Sequence, residues 1–106
     1  MPGRAILSVD LAKIAENTRR VRALVPGIEV VAVTKVTCGA PEVARAMLAG
    51  GAVAIGDSRL ENIERMREAG IDAPFWLLRA TPPDLAAETV RLADVSLASE
   101  VVSVEA

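Results

Sequence analysis

Glu29-Val30-Val31-Ala32-Val33-Thr34 is a continuously apolar, β-branched run that ends on Lys35. A strand with one wet face alternates polar and apolar residues. A run without alternation is expected of a parallel strand covered on both faces. The run sits between two helical patterns. Upstream, Leu11, Ile14, Thr18, Val21 and Val25 recur at helical spacing behind Asp10, a fitting N-cap, and Pro26-Gly27 ends the pattern. Downstream, Pro41 stands near a first helical position, Val43, Met47 and Leu48 form a stripe, and Gly50-Gly51 closes it.

The same unit recurs to both sides. Ala52–Gly56 reads as a strand. Ser58 with Glu61 fits a capping box at the head of a helix carrying Leu60, Ile63 and Met66, which Ala69-Gly70 ends. Pro74–Leu78 reads as a strand, with its proline tolerable at the first position. Thr81 is expected to cap a helix that opens with Pro82-Pro83 and lines its buried face with Leu85, Thr89 and Leu92. Val95–Ala98 is a further strand, and Ser99-Glu100 opens a further helix. With Ala5–Val9, the strands begin near positions 5, 29, 52, 74 and 95, a repeat of about 21–24 residues. That is the period of βα units, so the fold class is α/β with a parallel sheet.

At 106 residues, 52% hydrophobic and 25% charged, the chain has the composition of one folded domain and not of a disordered segment. A net charge of −2 and only two aromatic residues, Phe75 and Trp76, argue against a nucleic-acid partner. No apolar run approaches the roughly 20 residues that span a bilayer, and the start lacks a signal peptide's apolar core, so neither a membrane nor an export role is expected. One cysteine excludes an intrachain disulfide, and the absence of histidine removes the usual zinc sites and Ser-His or Cys-His pairs. A reducing cytoplasm is the expected setting, and no metal site is expected. A complete (β/α)₈ barrel takes roughly 250 residues, and the pattern stops within a helix, so residues 1–106 are expected to be the N-terminal part of a longer barrel protein. A complete small open α/β sheet is the alternative, although its last strand would have little to cover it.

In parallel α/β folds, reactive residues gather at the C-terminal ends of strands. Lys35 stands at such an end. The chain uses ten arginines and two lysines, and Lys13 lies on a helix surface. A lysine differs from an arginine in that its amine loses a proton when desolvated and then attacks carbonyl carbon. The plainer reading is a side chain that snorkels to solvent. Cys38 follows at the entry to the next helix, where a thiol's pKa falls, or it is simply a small buried side chain. Asp57-Ser58-Arg59 either binds substrate or phosphate at a helix start or only caps the helix. Arg79 either faces a ligand carboxylate or pairs with an internal one such as Asp57. Gly50-Gly51 and Gly56 form no phosphate-cradling signature.

Around Lys35 the residues take on a family likeness. Val33-Thr34-Lys35-Val36-Thr37-Cys38-Gly39 resembles the lysine segment of the alanine/ornithine racemases, enzymes of fold type III that depend on pyridoxal phosphate. Gly56–Asn62 resembles that family's Asp-Ser-Arg-x-x-Asn segment, Leu77-Leu78-Arg79 its Leu-Leu-Arg strand end, and Ala93–Glu100 its Ala-Asp-x-Ser-x-Asn-Ser-Glu segment. Ser8-Val9-Asp10, with Asn17, also fits. The Lys-x-x-Cys form is closer to the ornithine-racemase branch. The likeness implies the N-terminal part of a pyridoxal-5'-phosphate-binding TIM barrel whose first strand is Glu29–Thr34. It implies that Lys35 carries the cofactor as an internal aldimine and serves as one of two bases. Cys38, Asp57, Arg79 and Ser99 would lie around the cofactor, an amino acid would be the substrate, and the full-length protein would be a homodimer. Two departures stand out: Ala98 replaces an asparagine, and Ala80-Thr81-Pro82 replaces an Arg-x-Pro turn. A non-catalytic carrier of pyridoxal phosphate built on the same barrel is the alternative, but such proteins resemble Gly-Glu-Asn where this chain has Gly56-Asp57-Ser58. The likeness also implies that a piece of this length lacks the second base and is inactive alone.

Overall fold

A computed structural model describes residues 8–97. Four βα-type repeats follow one another: α1 (Leu11–Leu24), β1 (Val31–Val33), α2 (Pro41–Ala49), β2 (Ala54–Asp57), α3 (Leu60–Glu68), β3 (Phe75–Ala80), α4 (Ala86–Leu92) and β4 (Val95–Leu97). Short 3₁₀ turns occupy Lys35–Thr37 and Pro83–Leu85. The strands form one sheet in the order β1-β2-β3-β4, every neighbouring pair parallel. The α/β reading of alternating units therefore holds. Of the expected strand Ala5–Val9, only Ser8 and Val9 are described, and neither is in a strand. The helix expected from Ser99-Glu100 lies outside the described residues.

The core forms where helices meet one face of the sheet. Ile55, Phe75 and Leu77 project from β2 and β3 onto Ala44 of α2, Ile63 and Met66 of α3, and Leu92 of α4. Phe75, Ile55, Ile63 and Met66 are fully buried, each contributing roughly 1.5–3 kcal/mol of transfer free energy. The Arg67 guanidinium ties three elements at its rim. It donates to the Leu92 carbonyl at 2.7 Å and to Asp94 at 2.9 Å, and lies 4.7 Å from the centre of the Phe75 ring. Asp94 in turn accepts the Phe75 amide at 2.8 Å, which fixes where β4 starts against β3.

The other face is lined by Val33, Gly56, Trp76 and Leu78, which alternate with the core residues and share one register. The sheet is tight here: a Cβ on Gly56 would stand 2.8 Å from Leu78 Cδ1. This apolar face is only partly covered, with Val33 41% exposed. The expectation that Glu29–Thr34 is covered on both faces is not met within the described residues. Among them β1 pairs with β2 alone and is partly exposed, and the strand buried throughout is β2.

Three expected helix starts are also corrected. Asp10 caps α1 as expected, its Oδ1 accepting the Lys13 amide at 3.2 Å. The Ser58–Glu61 box does not form. Arg59 occupies the N-cap of α3 without a side-chain cap, Glu61 pairs with Arg59 at 3.3 Å, and Asp57 accepts the Arg59 amide at 2.9 Å. The upstream carboxylate satisfies the amide of the N-cap residue itself, which is a different bond from the one expected of the serine. Thr81 caps nothing: Pro82 stands at the N-cap of the 3₁₀ turn, and Thr81 Oγ1 accepts from Thr89 Oγ1 at 3.3 Å. Cys38 is not at a helix entry, because α2 starts three residues later at Pro41 with Ala40 as N-cap.

Candidate functional site

The C-terminal ends of β1, β2 and β3 bring together the turn after Thr34, the segment Asp57-Ser58-Arg59 and the strand end Arg79-Ala80. The turn is compact. Its Thr34 carbonyl accepts the amides of Thr37 and Gly39, both at 3.1 Å, and the Thr37 hydroxyl at 3.0 Å. Cys38 and Gly39 are both left-handed, at φ 54° and 65°. A non-glycine residue in that region is strained and persists only where the surroundings hold it. The Arg65 guanidinium provides part of that hold, donating to the Cys38 carbonyl at 2.7 Å.

Lys35 opens this turn and is exposed. Its amine makes no ion pair or hydrogen bond among the described residues. The sequence argument for a desolvated amine is therefore not met by the described residues alone. Cys38 is exposed as well. Its exposure corrects the alternative reading of a small buried side chain.

Asp57 has a different environment. It is fully buried, as is Thr34, and Asn62 is 5% exposed. Its Oδ2 accepts the Thr34 hydroxyl at 2.8 Å, and its Oδ1 accepts the Arg59 amide at 2.9 Å and Asn62 Nδ2 at 3.1 Å. Asp57 shares the helix-side face of the sheet with Leu77, its register partner. The pairing with Arg79 offered by the sequence does not form: Asp57 is taken up by Thr34, Arg59 and Asn62, while Arg79 is exposed and outside every ion pair among the described residues. A cleft of about 210 Å³ lies between the head of α3 and the β3–α4 connection, with Ser58, Arg59 and Arg79 among its walls. Lys35 is not one of its lining residues, so the cleft and the lysine are separate features of the same rim. Ser99 lies outside the described residues. No group of three or more metal-ligating side chains occurs among the described residues, and no described helix is long and apolar enough to cross a membrane.

Thr34 and Asn62 were not singled out from the sequence. Their partner Asp57 lies 23 residues from Thr34 and five from Asn62. The available signal was local: an asparagine in the first turn of a helix that follows a strand-ending aspartate.

The chain is similar to known proteins in sequence and fold. Residues 9–103 match the family model described as alanine racemase, N-terminal domain. The lysine racemase of Thermotoga maritima is 40% identical over 96 residues, which is 89% of this chain and 27% of that protein. An alanine racemase of Carboxydothermus hydrogenoformans is 40% identical over 79 residues, 72% of this chain and 22% of that protein. The crystal structure of alanine racemase from Bacillus anthracis with bound L-Ala-P superposes with a TM-score of 0.80 at 26% identity, covering 95% of this chain and 29% of that one. The chain thus spans about a quarter of the length of these relatives.

Proposed function

The chain belongs to the alanine racemase N-terminal domain family, and from that premise we propose that it forms part of a pyridoxal-phosphate-dependent amino-acid racemase, with Lys35 as the residue that holds the cofactor. Residues 1–106 are read as part of the barrel domain of that isomerase, and the full-length protein as a homodimer. The observation that carries the proposal is the exposed Lys35 amine, unpaired among the described residues, at the C-terminal rim of a parallel sheet. That placement fits an aldehyde cofactor: a lysine side chain that no carboxylate holds is free to reach a carbonyl, to which an unprotonated amine adds.

Pyridoxal phosphate, when bound, supplies an electron sink that makes the Cα proton of an amino acid removable. Lys35 then takes or returns that proton on one face of the substrate. Cys38, three residues on in the same turn, lines the site without covalent chemistry. The Arg79 guanidinium, two strands away at the end of β3, meets a carboxylate or phosphate, and Ser99, outside the described residues, is assigned to the cofactor's surroundings by the family likeness alone. The second face needs a second base. The 106 residues contain no tyrosine and no histidine, and the reading assigns that base to another part of the assembly. Racemases acting on lysine and on alanine are both among the relatives, which makes basic and small amino acids the substrates to test.

The test is reduction of the full chain with borohydride in the presence of pyridoxal phosphate, followed by peptide mapping. The label is expected on Lys35 and lost in Lys35→Arg, because a guanidinium stays protonated and does not add to the aldehyde. Label on Lys13 alone would refute the assignment.

A further inference from the structure

The buried carboxylate of Asp57 is the polar group that the proposed chemistry leaves unused. It belongs to a clamp. Thr34 precedes Lys35 directly, and its hydroxyl and backbone are held from two sides. Its hydroxyl donates to Asp57 at 2.8 Å, and its amide donates to the Gly56 carbonyl at 2.9 Å. Its carbonyl then gathers the Thr37 and Gly39 amides and so closes the turn that begins with Lys35. On the far side of the turn, Gly39 lies against Asn62, where a Cβ would stand 2.6 Å from Asn62 Cβ. Asn62 in turn donates to the same Asp57 carboxylate at 3.1 Å. One buried carboxylate thereby fixes both ends of the Lys35 turn, residue 34 through a hydroxyl and residue 39 through the packing of Asn62. No buried side-chain polar atom among the described residues is left without a partner. A buried network with every member satisfied is the kind that sets one geometry.

We propose that Asp57 is a positioning residue, which acts through Thr34 and Asn62 to hold the Lys35 turn in the conformation that presents the amine at the sheet rim. In this role Asp57 needs no contact with the cofactor: its carboxylate is buried on the helix side of the sheet and both its oxygens are engaged. The inference rests on the reading of Lys35 as the cofactor lysine, and its test separates the two.

Thr34→Val removes the hydroxyl and keeps the shape, while Thr34→Ser keeps the hydroxyl. Two readouts are taken on the full chain. Amide hydrogen exchange at Thr37, Gly39 and Ala40 reports the turn with no cofactor present. Borohydride labelling with pyridoxal phosphate, as the ratio of Lys35 to Lys13, reports presentation of the amine. In Thr34→Val, exchange at the three amides is expected to accelerate about tenfold or more and the labelling ratio to fall about fivefold or more, the scale set by one lost hydrogen bond to a buried carboxylate. Exchange in β2 and β3 stays as in the parent, and Thr34→Ser restores both readouts. If Thr34→Val does not fold, Asn62→Ala removes the other arm and is read in the same two ways. Parent-like exchange in the turn overturns the clamp. Accelerated exchange with an unchanged labelling ratio overturns its role in positioning Lys35. Equal labelling of Lys35 and Lys13 in the parent refutes the cofactor reading instead, and the exchange arm still decides whether Asp57 holds the turn.

Discussion

Replacing Gly39 with alanine attacks the Lys35 turn from its other end, and the structure sets the size of the effect. Gly39 sits at φ +65°, where an L-residue with a Cβ is disfavoured by roughly 1–2 kcal/mol. The added methyl would also stand 2.6 Å from Asn62 Cβ and 3.1 Å from Asn62 Cα. Neither atom is the far end of a flexible chain, and Asn62 is anchored in α3 and bonded to Asp57. Relief therefore requires a shift of helix or turn, an overpacking cost of about 1–3 kcal/mol. Alanine reduces the freedom of the unfolded chain, which returns about 0.4–1 kcal/mol. The net expectation is a loss of about 2–4 kcal/mol. Gly27 supplies the control: its φ is +80°, but a Cβ there meets nothing within 4 Å, so Gly27→Ala carries the conformational cost alone, about 0.5–1 kcal/mol net. Urea unfolding followed by fluorescence of Trp76, the single tryptophan, measures both variants against the parent. Equal midpoints for Gly39→Ala and Gly27→Ala would show that the contact between the turn and Asn62 is not a tight one, and the clamp argument would lose its second arm.

Two further outcomes are expected. Cys38→Ser is expected to keep the cofactor's visible absorbance when pyridoxal phosphate is added to the full chain, since the thiol is exposed and the amine of Lys35 supplies the nucleophile; loss of that absorbance would assign the thiol a direct role. The 106-residue chain is expected not to interconvert the enantiomers of alanine, lysine or ornithine, because positioned acid–base catalysis is worth roughly 10²–10⁴-fold and the proposed function assigns the second base to residues outside these 106. Chiral chromatography after incubation with excess pyridoxal phosphate measures this, and exchange above a Lys35→Ala control would place a second base within the chain or in an identical partner.

The order of strands and helices was legible from sequence because its causes are local. An apolar β-branched run, a helical stripe, an aspartate cap at Asp10, a proline at the first turn of α2 and glycine stops all act within a few residues of themselves. Lys35 was legible for a similar reason: its place at a strand end and the segment around it are contiguous. What the sequence left open was settled by contacts across the fold. That β2, paired on both sides among the described residues, and not β1, is the strand buried throughout depends on pairing order, which no single run contains. That Asp57 turns into the helix layer and meets Thr34, instead of Arg79, depends on a hydroxyl 23 residues away brought into register by β1–β2 pairing. Cys38 looked like the start of a helix because Pro41 follows so closely. It is instead a left-handed residue, and the contacts that hold it and the following Gly39, from Arg65 and Asn62 respectively, come from a helix more than twenty residues further along the chain.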